Sequence, residues 1–467
     1  MKLSLSLLKK IVGKTFIFTL VVLAFGFILS FSACKHSSNP ASFEVGHPDW
    51  VYTSTLYEIN VRQFTNEGTF SAFETHLPRL KELGVDILWF MPIHPIGETN
   101  RKGTLGSYYS VKDYKDINPE FGTLDDFKRI VEKSHELGMK VIIDWVANHS
   151  AHDNELSKTN PDFYLKDSSG NFISPFDWTD VIKFDYSNKN MREYMLGALE
   201  YWVKETGIDG YRCDVAAEVP TDFWNDARQA LEKIKPVFML AEAEQVDLME
   251  FAFDAEYGWE LHNIMNQISQ GKQPVSNLDK YFEKNILDYP KNTIKLNFTS
   301  NHDENSWNGT EFERMGEAAK SFAAFTFAIP GMPLIYNGQE VAFDRRLEFF
   351  EKDKIEWKEE RYFENLYKNL ISLIKRNTAL YAATKGADIE RIQTPEQPSL
   401  YCFTRSNNND RIFAVFNFSN NRVESDISID GFSGQYTNVI TGEQTQLGNS
   451  VSLDLEPWGF MILEFNK

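Results

Sequence analysis

Gly207-Ile208-Asp209-Gly210-Tyr211-Arg212-Cys213-Asp214-Val215-Ala216 is the stretch whose reading decides the fold. It spells the end of a helix, a tight turn and a short strand that carries charges where a buried parallel strand is normally a run of Val, Ile and Leu. Arg212 and Asp214 stand two residues apart, so both point to the same face. An interior ion pair is the plainest reading. Burying two charges costs several kcal/mol each unless they are well paired, so such a pair speaks for a site more than for stability. A guanidinium beside a carboxylate also lowers its pKa and keeps it ionised, as a carboxylate nucleophile requires. Asp214 is therefore the first candidate for the reacting group.

Outward from this strand, short apolar segments alternate with amphipathic helical ones. The strand-like segments are Leu56–Val61, Ile87–Met91, Lys140–Asp144, Gly210–Val215, Phe238–Glu242, a weaker pattern at Phe251–Ala255, Lys295–Thr299 and Pro333–Tyr336. Helical periodicity fills the gaps over Phe70–Leu83, Thr123–Leu137, Met191–Thr206, Pro220–Ile234, Leu261–Ser269, Gly316–Ile329 and Phe363–Lys375. Eight strands with helices between them predict an α/β fold, a closed (β/α)8 TIM barrel over residues 51–380. A doubly wound open sheet is the alternative, but no Gly-rich phosphate loop opens any helix. Residues 149–187, rich in Asn, Asp, Ser and aromatics, are too long for a plain βα loop and predict a short inserted subdomain after strand three. Residues 381–467 change to short alternating stretches broken by Asn-Asn and Gly turns, which predicts a C-terminal antiparallel β-sandwich.

Composition narrows the partners. The 467 residues carry 48 Lys and Arg against 67 Asp and Glu, a formal charge of −19 that argues against nucleic acid and is neutral towards an uncharged sugar. Three cysteines, Cys34, Cys213 and Cys402, signal neither a disulfide framework nor a Cys-based metal site. Cys34 follows a basic start, an apolar run from Ile17 to Leu29 and the small residues Ser32 and Ala33, so residues 1–33 read as an export signal rather than a spanning helix. Phe31-Ser32-Ala33-Cys34 resembles a bacterial lipoprotein cleavage box, with Phe31 in place of the usual Leu. Cys34 would then be lipidated, residues 34–50 would form a polar tether, and the mature chain would be exported and held at a bacterial membrane by its lipid. No protein partner is evident.

Function in such a barrel sits at the C-terminal ends of the strands. Those ends read Asp144-Trp145-Val146-Ala147-Asn148-His149, Arg212 with Asp214, Glu242-Ala243-Glu244, and Asn301-His302-Asp303-Glu304. Carboxylates, two His and one Arg converging on one mouth fit metal-assisted hydrolysis or glycoside hydrolysis. Arg212 beside Asp214 would repel a cation, whereas Asp214 and Glu242 on neighbouring strands, about 4.8 Å apart, approach the ~5.5 Å spacing of a retaining mechanism. Glu244 shares the parity of Glu242, and spacing alone does not choose between them.

These four stretches, in this order, resemble the signature regions of the α-amylase family, glycoside hydrolase family 13. The resemblance implies Asp214 as nucleophile, Glu242 as general acid/base and Asp303 as the carboxylate that distorts the sugar and stabilises its transition state. It further implies that Arg212 holds Asp214 ionised, that His149 and His302 hydrogen-bond sugar hydroxyls above Asp144, and that Tyr109, in Gly106-Ser107-Tyr108-Tyr109, stacks on the sugar. Asn148 matches a position that ligates calcium in many members; no cofactor is otherwise implied, and a metal-free fold is favoured over structural calcium. The implied activity is that of a retaining α-glucan hydrolase acting on starch, maltooligosaccharides or related glucans. An α-glucan transglycosylase and a non-catalytic, lipid-anchored glucan-binding protein on the same fold are the alternatives.

Overall fold

The computed structural model describes residues 46–358, 362–394, 397–429 and 431–466. The export signal, Cys34 and most of the tether lie outside the described residues. Eight parallel strands close a barrel: β1 Leu56–Ile59, β2 Ile87–Phe90, β3 Lys140–Trp145, β4 Gly210–Cys213, β5 Phe238–Ala241, β6 Ala255–Tyr257, β7 Ile294–Asn297 and β8 Met332–Tyr336. Each neighbours the next in chain order, and β8 pairs with β1. Every residue of β1, β2, β4 and β5 is buried, as strands covered on one side by helices and on the other by a filled interior must be.

The deciding stretch folds by local rules. Helix Lys189–Thr206 ends on Gly207, whose left-handed backbone (φ 73°) closes it. Gly210, at φ 149°, opens β4, and a Cβ there would lie 1.8 Å from the Phe238 carbonyl oxygen, so only glycine lets β4 approach β5 this closely. Thr123 and Asp126 form a capping box that starts helix Leu124–Glu136.

Three expectations are corrected. The helix expected over Phe70–Leu83 is two, Phe70–Glu74 and Leu77–Leu83, divided ahead of Pro78, which has no N–H to give to a continuing helix. β4 stops at Cys213 because Val215 turns left-handed at φ 38°. β6 is Ala255–Tyr257 rather than Phe251–Ala255, because Asp254 is committed to other partners. Its Oδ2 accepts from the Met239 amide and from Arg228, its Oδ1 meets His47 at 2.7 Å, and the apolar Phe253 packs outside the barrel interior.

After β3 the chain makes a small hairpin, His149–Ala151 against Val181–Lys183, around short helical turns. Beyond the barrel, six antiparallel strands form one sheet and Val423–Ser428 with Ser450–Leu455 form a second. Alternate residues serve opposite faces: Leu400, Cys402, Phe413 and Val415 join Val423 and Leu453 in the core between the sheets, while Tyr401, Phe403 and Phe416 pack on the barrel. Phe325 of helix Ala319–Ala328 meets Phe416 edge-on at 5.2 Å there. No helix among the described residues is long and apolar enough to cross a membrane.

Candidate active site

Parallel register carries the first pair of carboxylates together. Asp144 of β3 lies opposite Arg212 of β4, and Cys213 lies opposite Ala241 of β5, so Asp214 and Glu242 emerge side by side just beyond paired strand ends. Arg212, with no exposed surface, holds all three. Its Nη1 donates to Asp144 Oδ1 at 2.8 Å and to Asp214 Oδ1 at 3.1 Å, and its Nη2 pairs with Glu242 Oε2 at 2.9 Å. The Trp89, Tyr109 and Tyr257 rings surround the guanidinium, with centres 5.2 to 5.7 Å from its carbon.

Val215 completes the arrangement. A β-branched residue in the left-handed region is strained, and here that turn aims its amide at Glu242 Oε2, 2.7 Å away. Asp214 Oδ2 is buried without a partner, an acceptor left open at the mouth. Burial and the Glu242 carboxylate push Asp214 well above the usual carboxylate range, while Arg212 pulls the other way. Burial raises Glu242 too, again against Arg212. Arg212 lowers the Asp214 pKa as expected of a guanidinium, but it is shared among three buried carboxylates, and burial with Glu242 outweighs it. The Asp214–Glu242 pair holds a proton to higher pH than an isolated carboxyl would.

His302 joins the cluster from the β7 end. Its Nδ1 faces Glu58 Oε1 at 2.5 Å, and its Nε2 faces the Tyr109 hydroxyl at 2.8 Å and Asp303 Oδ2 at 3.3 Å. Burial would lower its pKa, but Asp303 and Glu58 raise it to about 9, so it is an imidazolium at neutral pH. Tyr109 donates to Asp144 Oδ2 at 3.0 Å and stacks on the His302 ring with centres 5.4 Å apart. Asp303 is the most exposed of these carboxylates, its side chain 34% accessible. His149 stands apart from them: buried, lowered by that burial to about 3 and hence neutral, it lies against Trp178 at 5.4 Å. Glu244 turns away towards Lys295 and the Glu260 amide, because strand alternation ends at Ala241.

An α-amylase catalytic-domain model matches residues 39–388, and a maltogenic amylase C-terminal-domain model matches residues 391–462. The chain belongs to the α-amylase family. Over 430 residues it is 28% identical to α-amylase MalA of Haloarcula japonica, an alignment covering 87% of this chain and 62% of that protein, so the chain spans less than two thirds of this relative's length. A maltogenic α-amylase of Bacillus acidopullulyticus is 27% identical over 470 residues, covering 90% of this chain and 78% of that one. Among solved structures, a noncanonic maltogenic α-amylase from Thermotoga neapolitana superposes with a TM-score of 0.82 at 30% identity, covering 90% of this chain and 100% of the other. An α-amylase from Lactobacillus plantarum gives 0.80 at 29%, covering 89% and 100%.

Within this α-amylase fold the structure adds residues that the sequence reading passed over. Glu58, fully buried in β1, carried the same signal as Asp214, a charge inside an apolar strand. Trp89 donates to Asp144 Oδ2 at 3.3 Å, and Arg212 Nε to the Tyr257 hydroxyl at 3.4 Å. Phe349 lies parallel to Tyr109 at 6.3 Å. Asn148 keeps a buried, unpartnered Oδ1, but no group of three His, Cys, Asp or Glu side chains able to hold a metal gathers among the described residues. A calcium ion takes six to eight oxygens, largely from carboxylates, so this donor set does not fit one and no step below uses it.

The raised His302 contributes stability that is fully present below its unfolded value of ~6.5 and is lost as pH rises through about 9. Glu58→Gln removes one source of that shift. In urea denaturation the variant should be less stable than the parent by about 3 kcal/mol near pH 6, since one partner of a buried pair is lost. The gap should narrow by about pH 9.5. An equal gap at both pH values would show that Glu58 acts by packing alone.

Proposed function

We propose that the protein is a retaining α-glucan hydrolase cleaving α-glucosidic bonds of starch, maltooligosaccharides or related glucans. The observation that carries this reading is the placement of Asp214 and Glu242 as next neighbours beyond paired strands, sharing one guanidinium, which suits the ~5–5.5 Å separation of a double displacement. Relatives named maltogenic α-amylase and cyclomaltodextrinase support the substrate class.

In the first step an Asp214 oxygen attacks the anomeric carbon as the glycosidic C–O bond breaks. The electron pair leaves with the departing sugar's oxygen, which takes the proton of Glu242. In the second, Glu242, now a carboxylate, removes a proton from water; the water oxygen bonds to the anomeric carbon and the ester electrons return to Asp214. Two inversions give retention. The imidazolium of His302 and the buried Arg212 oppose the negative charge around the sugar ring, and Tyr109 offers it an aromatic face.

On maltoheptaose and pullulan, full-length protein in detergent should release shorter oligosaccharides, and Asp214→Asn should lose at least about a thousandfold in kcat. Product lengths distinguish chain-end from internal cleavage, and products longer than the substrate mark transfer. Binding of these glucans without cleavage would contradict the reading in favour of a glucan-binding protein.

The sequence around Cys34 further supports export and a lipid anchor. Full-length protein should enter the detergent phase on Triton X-114 partitioning and Cys34→Ser should stay in the aqueous phase. Identical partitioning of the two would contradict the anchor.

A further inference from the structure

Two runs of aromatic rings lead outward to opposite rims of the mouth, one from Tyr109 and one from His149. On one side Phe349 lies parallel to the Tyr109 ring and meets Trp307 at 5.2 Å; Trp307 is 51% exposed. On the other, His149 meets Trp178 at 5.4 Å, and Trp178 meets Phe176 at 4.8 Å; Phe176 is 63% exposed. Trp307 follows the β7 end and Phe176 belongs to the insert after β3. Around the closed barrel β3 and β7 are four strands apart, diametrically opposed.

Neither exposed ring is explained by folding. Phe176 adopts φ 52°, a conformation that a bulky residue takes at a cost of about 1–3 kcal/mol, yet it gains little burial in return. Trp307 rides on a π-helical turn, Glu304–Asn308, that starts immediately after Asp303, and such turns concentrate at functional sites. Asn305 pins that turn, donating to the Arg345 carbonyl and accepting from the Leu347 amide. Asp303 and the Trp307 ring are therefore set by one rigid element.

A sugar ring offers a face of C–H groups to an aromatic plane and hydroxyls to polar neighbours around it. We propose that Trp307 with Phe349 and Phe176 with Trp178 are two sugar-stacking platforms, one on each side of the cleavage point, that hold the glucan chain across the mouth. This rests on the hydrolase reading above and adds to it which residues read chain length and place the cut. The two arms bind different parts of the chain, so loss of one should let the glucan slide towards the other.

The test compares Trp307→Ala and Phe176→Ala with the parent on end-labelled maltoheptaose and on α-glucosyl fluoride, which fills only the reacting pocket. Each variant should lose roughly tenfold in kcat/KM on maltoheptaose, mainly through KM. Each should stay within about twofold of the parent on the fluoride, which also shows that it is folded. The positions of cleavage should shift in opposite directions in the two variants, and Trp307→Phe and Phe176→Tyr should restore the parental pattern. Variants that cut maltoheptaose as the parent does, or that lose both substrates equally, would overturn the platforms and leave the hydrolase reading standing. A parent inactive on both substrates would overturn the hydrolase reading and the platforms with it.

Discussion

A guanidinium buried beneath the barrel mouth is the constraint on which the rest of the site depends. Arg212 has no exposed surface and contacts Asp144, Asp214 and Glu242, from three successive strands in the barrel. Burial of a paired charge is weak as a source of stability, and removal of one partner leaves the others uncompensated at a cost of about 3–5 kcal/mol. The arrangement makes sense as a fixed electrostatic frame, built before substrate arrives, in a setting kept dry by Trp89, Tyr109 and Tyr257.

That frame is short of positive charge. Glu58, Asp144, Asp214, Glu242 and Asp303 stand against Arg212 and the His302 imidazolium. The four buried ones, Glu58, Asp144, Asp214 and Glu242, are all raised by burial, and a hydrolase with one acid and one nucleophile needs one proton retained. What separates the two neighbours is local. Glu242 Oε2 receives the Val215 amide, while Asp214 Oδ2 has no partner and stays open for bond formation. The strained turn at Val215 thus fixes the Glu242 carboxyl beside Asp214; its amide favours the ionised form of Glu242, so the turn positions that group and does not assign the proton.

The barrel was legible because alternating apolar strands and capped helices leave few other ways to bury so many faces. Asp144, Arg212 and Asp214 were legible because charges inside strands must be paired or used. Glu58 gave the same signal and was passed over, since its partner His302 lies 244 residues away. β6 was misplaced because Asp254 is bound to Arg228 and His47, partners that no local pattern reveals. The choice between Glu242 and Glu244 needed the strand end at Ala241, and the contact of Phe349 with Trp307 needed the segments after β7 and β8 folded against each other. The raised Asp214 was not legible because a sequence shows one arginine beside one aspartate and hides the other carboxylates that share it.

The most direct measurement is the site of covalent attachment. Glu242→Gln protein, incubated with α-maltosyl fluoride and digested, is analysed by peptide mass spectrometry. Its activated leaving group allows the first displacement without an acid, and the missing base slows the second. The expected result is a maltosyl ester on Asp214; an ester on a different carboxylate, or release of the inverted sugar with no ester formed, would contradict the assignment of Asp214 as nucleophile.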